Sequence, residues 1–262
     1  MRSPMRYIRR LEDVVRRQLN LNQPEEQITR DAQAVWDKAH DRPGLWLHVR
    51  GSDFYAEDDK WLAIGRRVFN IFEDFARTAQ LDLPMQRVVE WGCGGGANAV
   101  HFAPHCRHFH GIDVSKVSLD ECAKQVAAFP NCTFHPTHIE VARPEAVLQS
   151  IEPGVDCFFC VYVAELFPSQ DYGMRVVEIG RQLLRVGGMA MIQIKYETDH
   201  WKSHPRRWNY AGNFCNMTTY PIHDFWQRCE KTGLTPLSVF LTPQPEEIPD
   251  ERYAYFCLRR AR

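Results

Sequence analysis

An α/β fold built on a doubly wound, open sheet is what this sequence predicts, and three observations carry the prediction. Between residues 87 and 195, short runs rich in β-branched and aromatic residues alternate with helical stretches, the pattern of a parallel sheet with helices on both faces. The first of these runs ends in a glycine-rich turn, Glu90-Trp91-Gly92-Cys93-Gly94-Gly95-Gly96, which feeds directly into a helical stretch. A last helix is followed by two more strand-like runs, 237–241 and 253–258, joined by a Pro- and Glu-rich loop. Those two bring the expected sheet to seven strands.

The chain opens with Ile8, Leu11, Val14, Val15 and Leu19 at helical spacing and arginines on the other face, which reads as a surface helix over 5–20. A second helix is expected over 29–40, where Ala32, Val35, Trp36 and Ala39 share a face before Asp41-Arg42-Pro43-Gly44 breaks the pattern. A third runs from about 58 to 79 on Leu62, Ile64, Val68, Phe69, Phe72 and Phe75. Residues 1–80 are therefore expected to form a helical N-terminal cap. Residues 81–262 form the core, with an irregular substrate-side insertion near 196–220. Core strands are expected over 87–91, 109–113, 132–135, 155–161 and 189–195, and helices near 97–106, 116–129, 145–150 and 171–184. The last helix begins at Pro221, turns Phe225, Trp226 and Cys229 to one side and stops at Gly233.

The 262 residues, 44% of them hydrophobic, suffice for one large α/β domain with an added cap. A formal net charge of −1 supplies no global field toward nucleic acid or an anionic membrane. No apolar run reaches the ~18 residues needed to span a bilayer, and the N-terminus lacks the apolar core of a signal peptide. Nine scattered cysteines read as reduced thiols, hence a cytoplasmic protein. Cys157-x-x-Cys160 lies in an apolar strand, where residues three apart face opposite ways, so it reads as packing. His101, His105, His108 and His110 lack a further ligand at fixed spacing, and no metal site is expected from them.

In open α/β sheets, ligands sit beyond the carboxyl ends of the strands near the switch point. The glycine turn lies there, and its free N–H groups suit an oxygen-rich ligand. Asp113 ends the second strand, well placed to accept both hydroxyls of a ribose. A nucleoside cofactor follows. Gly92-x-Gly94-x-x-Ala97 fits a dinucleotide fingerprint, which keeps an NAD-dependent oxidoreductase as an alternative. Glu90, two residues before the first glycine, opposes a pyrophosphate but suits a cationic amino group. That favours S-adenosylmethionine, which carries an ammonium, a sulfonium and no phosphate.

Residues 88–96, then Gly111-Ile112-Asp113-Val114-Ser115, Val155-Asp156-Cys157-Phe158-Phe159 and Leu183-Leu184-Arg185-Val186-Gly187-Gly188 together resemble the class I S-adenosylmethionine-dependent methyltransferases, in order and spacing across residues 86–195. The resemblance implies a mostly parallel seven-stranded sheet with an antiparallel last strand. It implies cofactor contacts from Glu90, Gly92, Gly94, Gly96 and Asp113. An arginine before the first core strand often holds the cofactor carboxylate in the family; Arg66 is the candidate beside Arg67, and a surface salt bridge is the rival role for either. The sequence places His138 where an adenine-binding acid is usual, leaving the neighbouring backbone N–H of Ile139 to serve. After strand four it keeps the acid, Glu165, but has Leu166 in place of the familiar histidine.

The catalytic candidates are therefore Tyr162 and Glu165 after strand four, and His200 and His204 after strand five, since an imidazole titrates near neutrality. Tyr196, Trp201, Trp208 and Tyr210 are expected to stack a planar or sugar-like substrate; the rival reading is an irregular cap packing its own aromatics. The expected activity is methyl transfer to a small-molecule hydroxyl. An amine acceptor, or a cofactor-binding subunit without turnover, are the alternatives. No nucleic-acid or membrane partner is expected.

Overall fold

The computed structural model describes residues 14–16, 19, 21–38, 50, 58–244 and 250–261. The helix expected over 5–20 lies almost wholly outside them, as do residues 39–40 of the next one. Among the described residues, helices α1 (Glu25–Asp37) and α2 (Asp58–Ala79) precede the sheet. α1 begins earlier than its apolar spacing suggests. Pro24 takes the N-cap, and Glu25 and Glu26 fill the first turn, where carboxylates meet the positive end of the helix dipole.

The seven strands are β1 (Met85–Trp91), β2 (Cys106–Asp113), β3 (Thr133–His138), β4 (Val155–Cys160), β5 (Leu184–Lys195), β6 (Leu234–Thr242) and β7 (Tyr253–Arg260). They lie in the order β3-β2-β1-β4-β5-β7-β6. The first five strands run parallel; β7 is antiparallel to both β5 and β6. The chain moves outward from β1 to β3, then returns to place β4 beside β1. Trp91, the last residue of β1, pairs with Ile112 on one side and Cys160 on the other. The crevice between the two halves of the sheet opens at that point.

Alternation along the strands builds two cores. Val89, Trp91, Phe158, Cys160 and Ile192 face one layer, which α1 joins through Ile28, Ala32 and Val35. Val88, Cys157, Phe159 and Met191 face the other, with Val68, Phe69, Phe72 and Phe75 of α2. Cys157 and Cys160 thus belong to opposite layers, as their spacing in a strand requires.

Helices shorten where a strand competes for the chain. The helix expected over 97–106 is a single turn, α3 (Ala99–Phe102), followed by a 3₁₀ turn over Ala103–His105, and Cys106 already starts β2. Pro104 lacks the N–H that a continuing helix needs. The helix expected near 145–150 is a 3₁₀ segment, Pro144–Gln149. α4 (Lys116–Val126) and α5 (Gln170–Leu183) are regular and capped by Ser115 and Ser169, whose hydroxyls accept the N–H of Ser118 and Tyr172. The stretch 196–220 is irregular as expected, with short turns and the four-residue α6 (Tyr210–Asn213); α7 (Ile222–Lys231) then leads into β6. Among the described residues no helix is long and apolar enough to cross a membrane.

Candidate active site

The site grows from the end of β1. Gly92 has φ +75°, and a Cβ there would lie 2.4 Å from Val163 Cγ2. Glycine alone lets the first turn pass so close beneath the segment after β4. The N–H of Gly94 donates to Asp113 Oδ2 at 2.9 Å, and the N–H of Ser115 donates to Asp113 Oδ1 at 2.8 Å. The carboxylate at the tip of β2 is therefore fixed in place. Gly96, at φ +93°, turns toward Cys122 of α4 instead, so it shapes the turn and does not face the cavity.

Glu90 is buried next to this turn. Its Oε1 accepts from Asn98 Nδ2 at 2.6 Å, while its Oε2 and the Asn98 Oδ1 have no partner. Burial pushes the Glu90 carboxyl up to about 8; the Asn98 hydrogen bond opposes the shift and Asp113 adds to it. A buried acid with one open oxygen is a ready partner for a cation.

One cavity gathers the carboxyl ends of β1, β2 and β3 with the segment after β4. Gly92, Gly94, Asp113, Ile139, Tyr162 and Tyr210 line it, all of them expected from the sequence. Its further walls are apolar: Ala32 and Trp36 of α1, Val163, Leu166, Phe167 and Tyr172. The Tyr210 hydroxyl accepts from Trp36 Nε1 and donates to the Leu166 carbonyl, both at 2.9 Å. That bridge ties α1, the post-β4 turn and α6 together over the cavity.

Other expected residues stand elsewhere. Arg66 is exposed on α2 and does not line the cavity. His138 is exposed, its Nε2 3.0 Å from the Val114 carbonyl. The Ile139 N–H, expected to serve the adenine, is already donated to the Asp113 carbonyl at 3.1 Å, and Ile139 lines the cavity. His200 Nδ1 accepts the Lys202 N–H in a 3₁₀ turn, and His204 Nδ1 lies 3.6 Å from Glu197 Oε1. Neither histidine reaches the cavity. Tyr196 bridges to Tyr220, Trp201 stands beside His200, and Trp208 is buried under Arg16. Of the four aromatics proposed for substrate, Tyr210 alone lines the cavity; the others pack the insertion.

A polar cluster lies directly behind the post-β4 turn. Tyr162, at φ +60°, donates its N–H to Gln193 Oε1 and accepts a hydroxyl hydrogen bond from Tyr255 at 2.9 Å. Lys195 Nζ bonds Asp250 Oδ1 at 2.5 Å and the Cys215 carbonyl at 3.0 Å, and Tyr253 donates to Asp250 Oδ2 at 3.0 Å. Glu165 completes the cluster; burial pushes its carboxyl up to about 7, helped by Asp250 and opposed by Lys195. Trp36 lines the cavity, and Asn98, Gln193 and Lys195 bond residues beside it, positions that the sequence reading did not single out for the site. For Gln193 and Lys195 the signal existed: polar residues inside an otherwise apolar parallel strand, Met189 to Lys195, call for buried partners.

A methyltransferase domain family matches residues 89–190, the span from β1 into β5. No curated protein sequence matches the chain. Among solved structures, the chain is similar to a S-adenosylmethionine-dependent methyltransferase from Clostridium acetobutylicum ATCC 824, with 12% identity and a TM-score of 0.57 over 79% of this chain and 93% of that one. It is similar to S-adenosylmethionine-dependent methyltransferase SibL in its apo form, with 16% identity and a TM-score of 0.53 over 88% of this chain and 70% of that one. It is also similar to the N-methyltransferase NodS from Bradyrhizobium japonicum WM9 bound to S-adenosyl-L-homocysteine, with 17% identity and a TM-score of 0.50 over 72% and 87% of the two chains.

Proposed function

We propose that this chain, whose residues 89–190 match a methyltransferase domain family, is a class I S-adenosylmethionine-dependent methyltransferase that transfers the methyl group to a hydroxyl of a small molecule, received beside the cofactor under the cap formed by α1 and α6. The cavity itself supports this reading: the Asp113 carboxylate, fixed by the Gly94 and Ser115 N–H groups, opens onto apolar walls from Trp36, Phe167, Tyr172 and Tyr210.

The chain's residues suit the cofactor group by group. Glu90 Oε2, buried and open, is the partner for its ammonium. Asp113 takes the ribose hydroxyls. Ile112, Ile139 and Val141 present apolar side chains for the adenine. The bound cofactor supplies an electrophilic methyl group on a sulfonium. The protein's work is then orientation, exclusion of water and acceptance of the hydroxyl proton. An amine acceptor is the second reading, favoured by the acid Glu165 at the post-β4 turn.

Ligands that bind the native state alone raise its melting temperature. S-adenosylmethionine and S-adenosylhomocysteine are expected to do so, and NAD and NADP are not. A shift with NAD and none with the adenosyl ligands would overturn the reading.

A further inference from the structure

All nine cysteines are free thiols, and one pair of them meets across two elements. Cys106 opens β2, and Cys132 stands in the turn between α4 and β3, just before that strand begins. Both side chains belong to the core layer beneath α2, and their sulfur atoms lie 3.7 Å apart. A disulfide holds its sulfurs about 2.05 Å apart, so closure asks for a shift of roughly 1.7 Å. Cys132 lies outside any strand or helix, so the turn can take up that shift while β2 stays in register.

The pair is asymmetric. Cys132, 9% exposed, is nearer solvent than Cys106, 4% exposed. The Cys106 thiol and the Phe109 backbone N–H donate to the Cys132 sulfur and hold its thiol below the ordinary value, against burial; the same contact and burial push Cys106 up. Burial pushes up Cys157, Cys160, Cys215, Cys229 and Cys257. Cys93 and Cys122 also bond each other, yet both stand above the ordinary value. The Cys122 bond and burial raise Cys93; at Cys122 the Cys93 bond lowers, and burial and nearby acids outweigh it. Thiolates are the nucleophiles in sulfur chemistry, and a sensor thiol is set beside a second cysteine that resolves it.

We propose that Cys132 and Cys106 form an oxidisable dithiol: Cys132 takes the oxygen of a hydroperoxide, and Cys106 then closes a disulfide that staples β2 to the turn before β3. With hydrogen peroxide, the Cys132 sulfur bonds one oxygen as the O–O bond breaks, leaving a sulfenic acid. The departing oxygen keeps the bonding pair and takes up the proton that Cys132 released, giving water. The Cys106 sulfur then bonds the Cys132 sulfur as the S–O bond breaks, and the hydroxyl leaves with the Cys106 proton as a second water. Two thiols are oxidised to one disulfide while one peroxide is reduced to two waters. The loop so closed holds Asp113 and α4. Asp113 is at the far end of the eight-residue β2, roughly 20 Å from the staple. The bond thus acts on the fold by constraining the unfolded chain, from a position remote from the cavity.

Full-length protein treated with a slight excess of hydrogen peroxide tests this. Peptide mapping without reduction is expected to find Cys106 joined to Cys132 and the other cysteines as free thiols. The melting temperature should rise by roughly 5–10 °C and fall back with dithiothreitol. Cys106→Ala should stop at the sulfenic acid, trapped on Cys132 by dimedone, with no such rise. Cys132→Ala should give neither adduct nor disulfide at the same dose. The proposal is overturned by a wild-type map without the Cys106–Cys132 bond, by earlier oxidation at any other cysteine, or by an unchanged melting temperature once the bond has formed. The wild-type map and melting curve decide it by themselves if a variant fails to fold.

Discussion

Two acids, Glu90 buried and Asp113 half-buried, illustrate how single residues prepare the site. Glu90 keeps its proton at neutral pH because burial disfavours its charge, holding the carboxyl near 8. A bound ammonium favours the charged form and lowers that value. Cofactor binding near neutrality is therefore expected to release a proton, and affinity should rise as pH climbs toward the free protein's value. Calorimetry in buffers of different ionisation enthalpy reads the proton count; Glu90→Gln should abolish the release and weaken binding. Asp113 is different, since its carboxylate is already oriented by two backbone N–H groups. Asp113→Ala removes the charged acceptor from both ribose hydroxyls and should cost about 1.5–3 kcal/mol, roughly ten- to a hundredfold in affinity. Unchanged affinity in a folded variant would place the ribose elsewhere.

At the scale of elements, one hydroxyl ties α1 and α6 to the turn after β4. Tyr210 is buried and links Trp36 of α1 to the carbonyl of Leu166. Tyr210→Phe strands the Trp36 indole N–H and removes a carbonyl's donor, and should cost on the order of 1–3 kcal/mol; a melting temperature equal to wild type would show that the bridge holds nothing. The insertion after β5 tells the opposite story. Its histidines were natural candidates for the base, yet His200 caps its own turn and His204 faces Glu197. Loss of a general base lowers turnover by about 10²–10⁴. His200→Ala and His204→Ala should each stay within about threefold of wild type, and a drop of the full size in either would return the base to this segment.

Stability of the whole molecule should depend on pH through the same acids. A carboxyl that binds its proton more tightly in the fold stabilises it fully below the unfolded value, and that contribution is lost as pH rises through the folded value. Glu90 moves from 4.5 to about 8 and Glu165 from 4.5 to about 7. Acids held low by arginine partners, such as Glu145 beside Arg175 and Glu178 beside Arg181, act with the opposite sign and below the ordinary carboxylate value. Burial holds His110 down to about 4, a contribution that makes stability rise with pH up to about 6.5, so cofactor-free protein should lose melting temperature above that, between about pH 6.5 and about pH 8. Glu90→Gln and Glu165→Gln should each flatten that slope, and a wild-type profile flat across the window would mean that neither acid is held neutral.

The sheet, the glycine turn and the place of Asp113 at the end of β2 could be read from the sequence because each rests on local chemistry. Strand alternation records two buried faces, a glycine run records a backbone that must turn tightly, and an acid at a strand's end stays there in any parallel sheet. The closing β6–β7 pair was legible for the same reason. The helices at 97–106 and 145–150 were overestimated because apolar spacing does not register where a neighbouring strand or a proline claims the chain. The site beyond the cofactor was decided by tertiary structure alone. His200 and Trp201 look chemically eloquent in sequence, but the insertion folds them onto their own turn. Gln193 and Lys195 sit quietly in a strand until pairing with β4 and β7 places them behind Tyr162. Which side chains meet depends on contacts between residues far apart in the chain, such as Trp36 with Tyr210 and Lys195 with Asp250, and no local pattern encodes such distances.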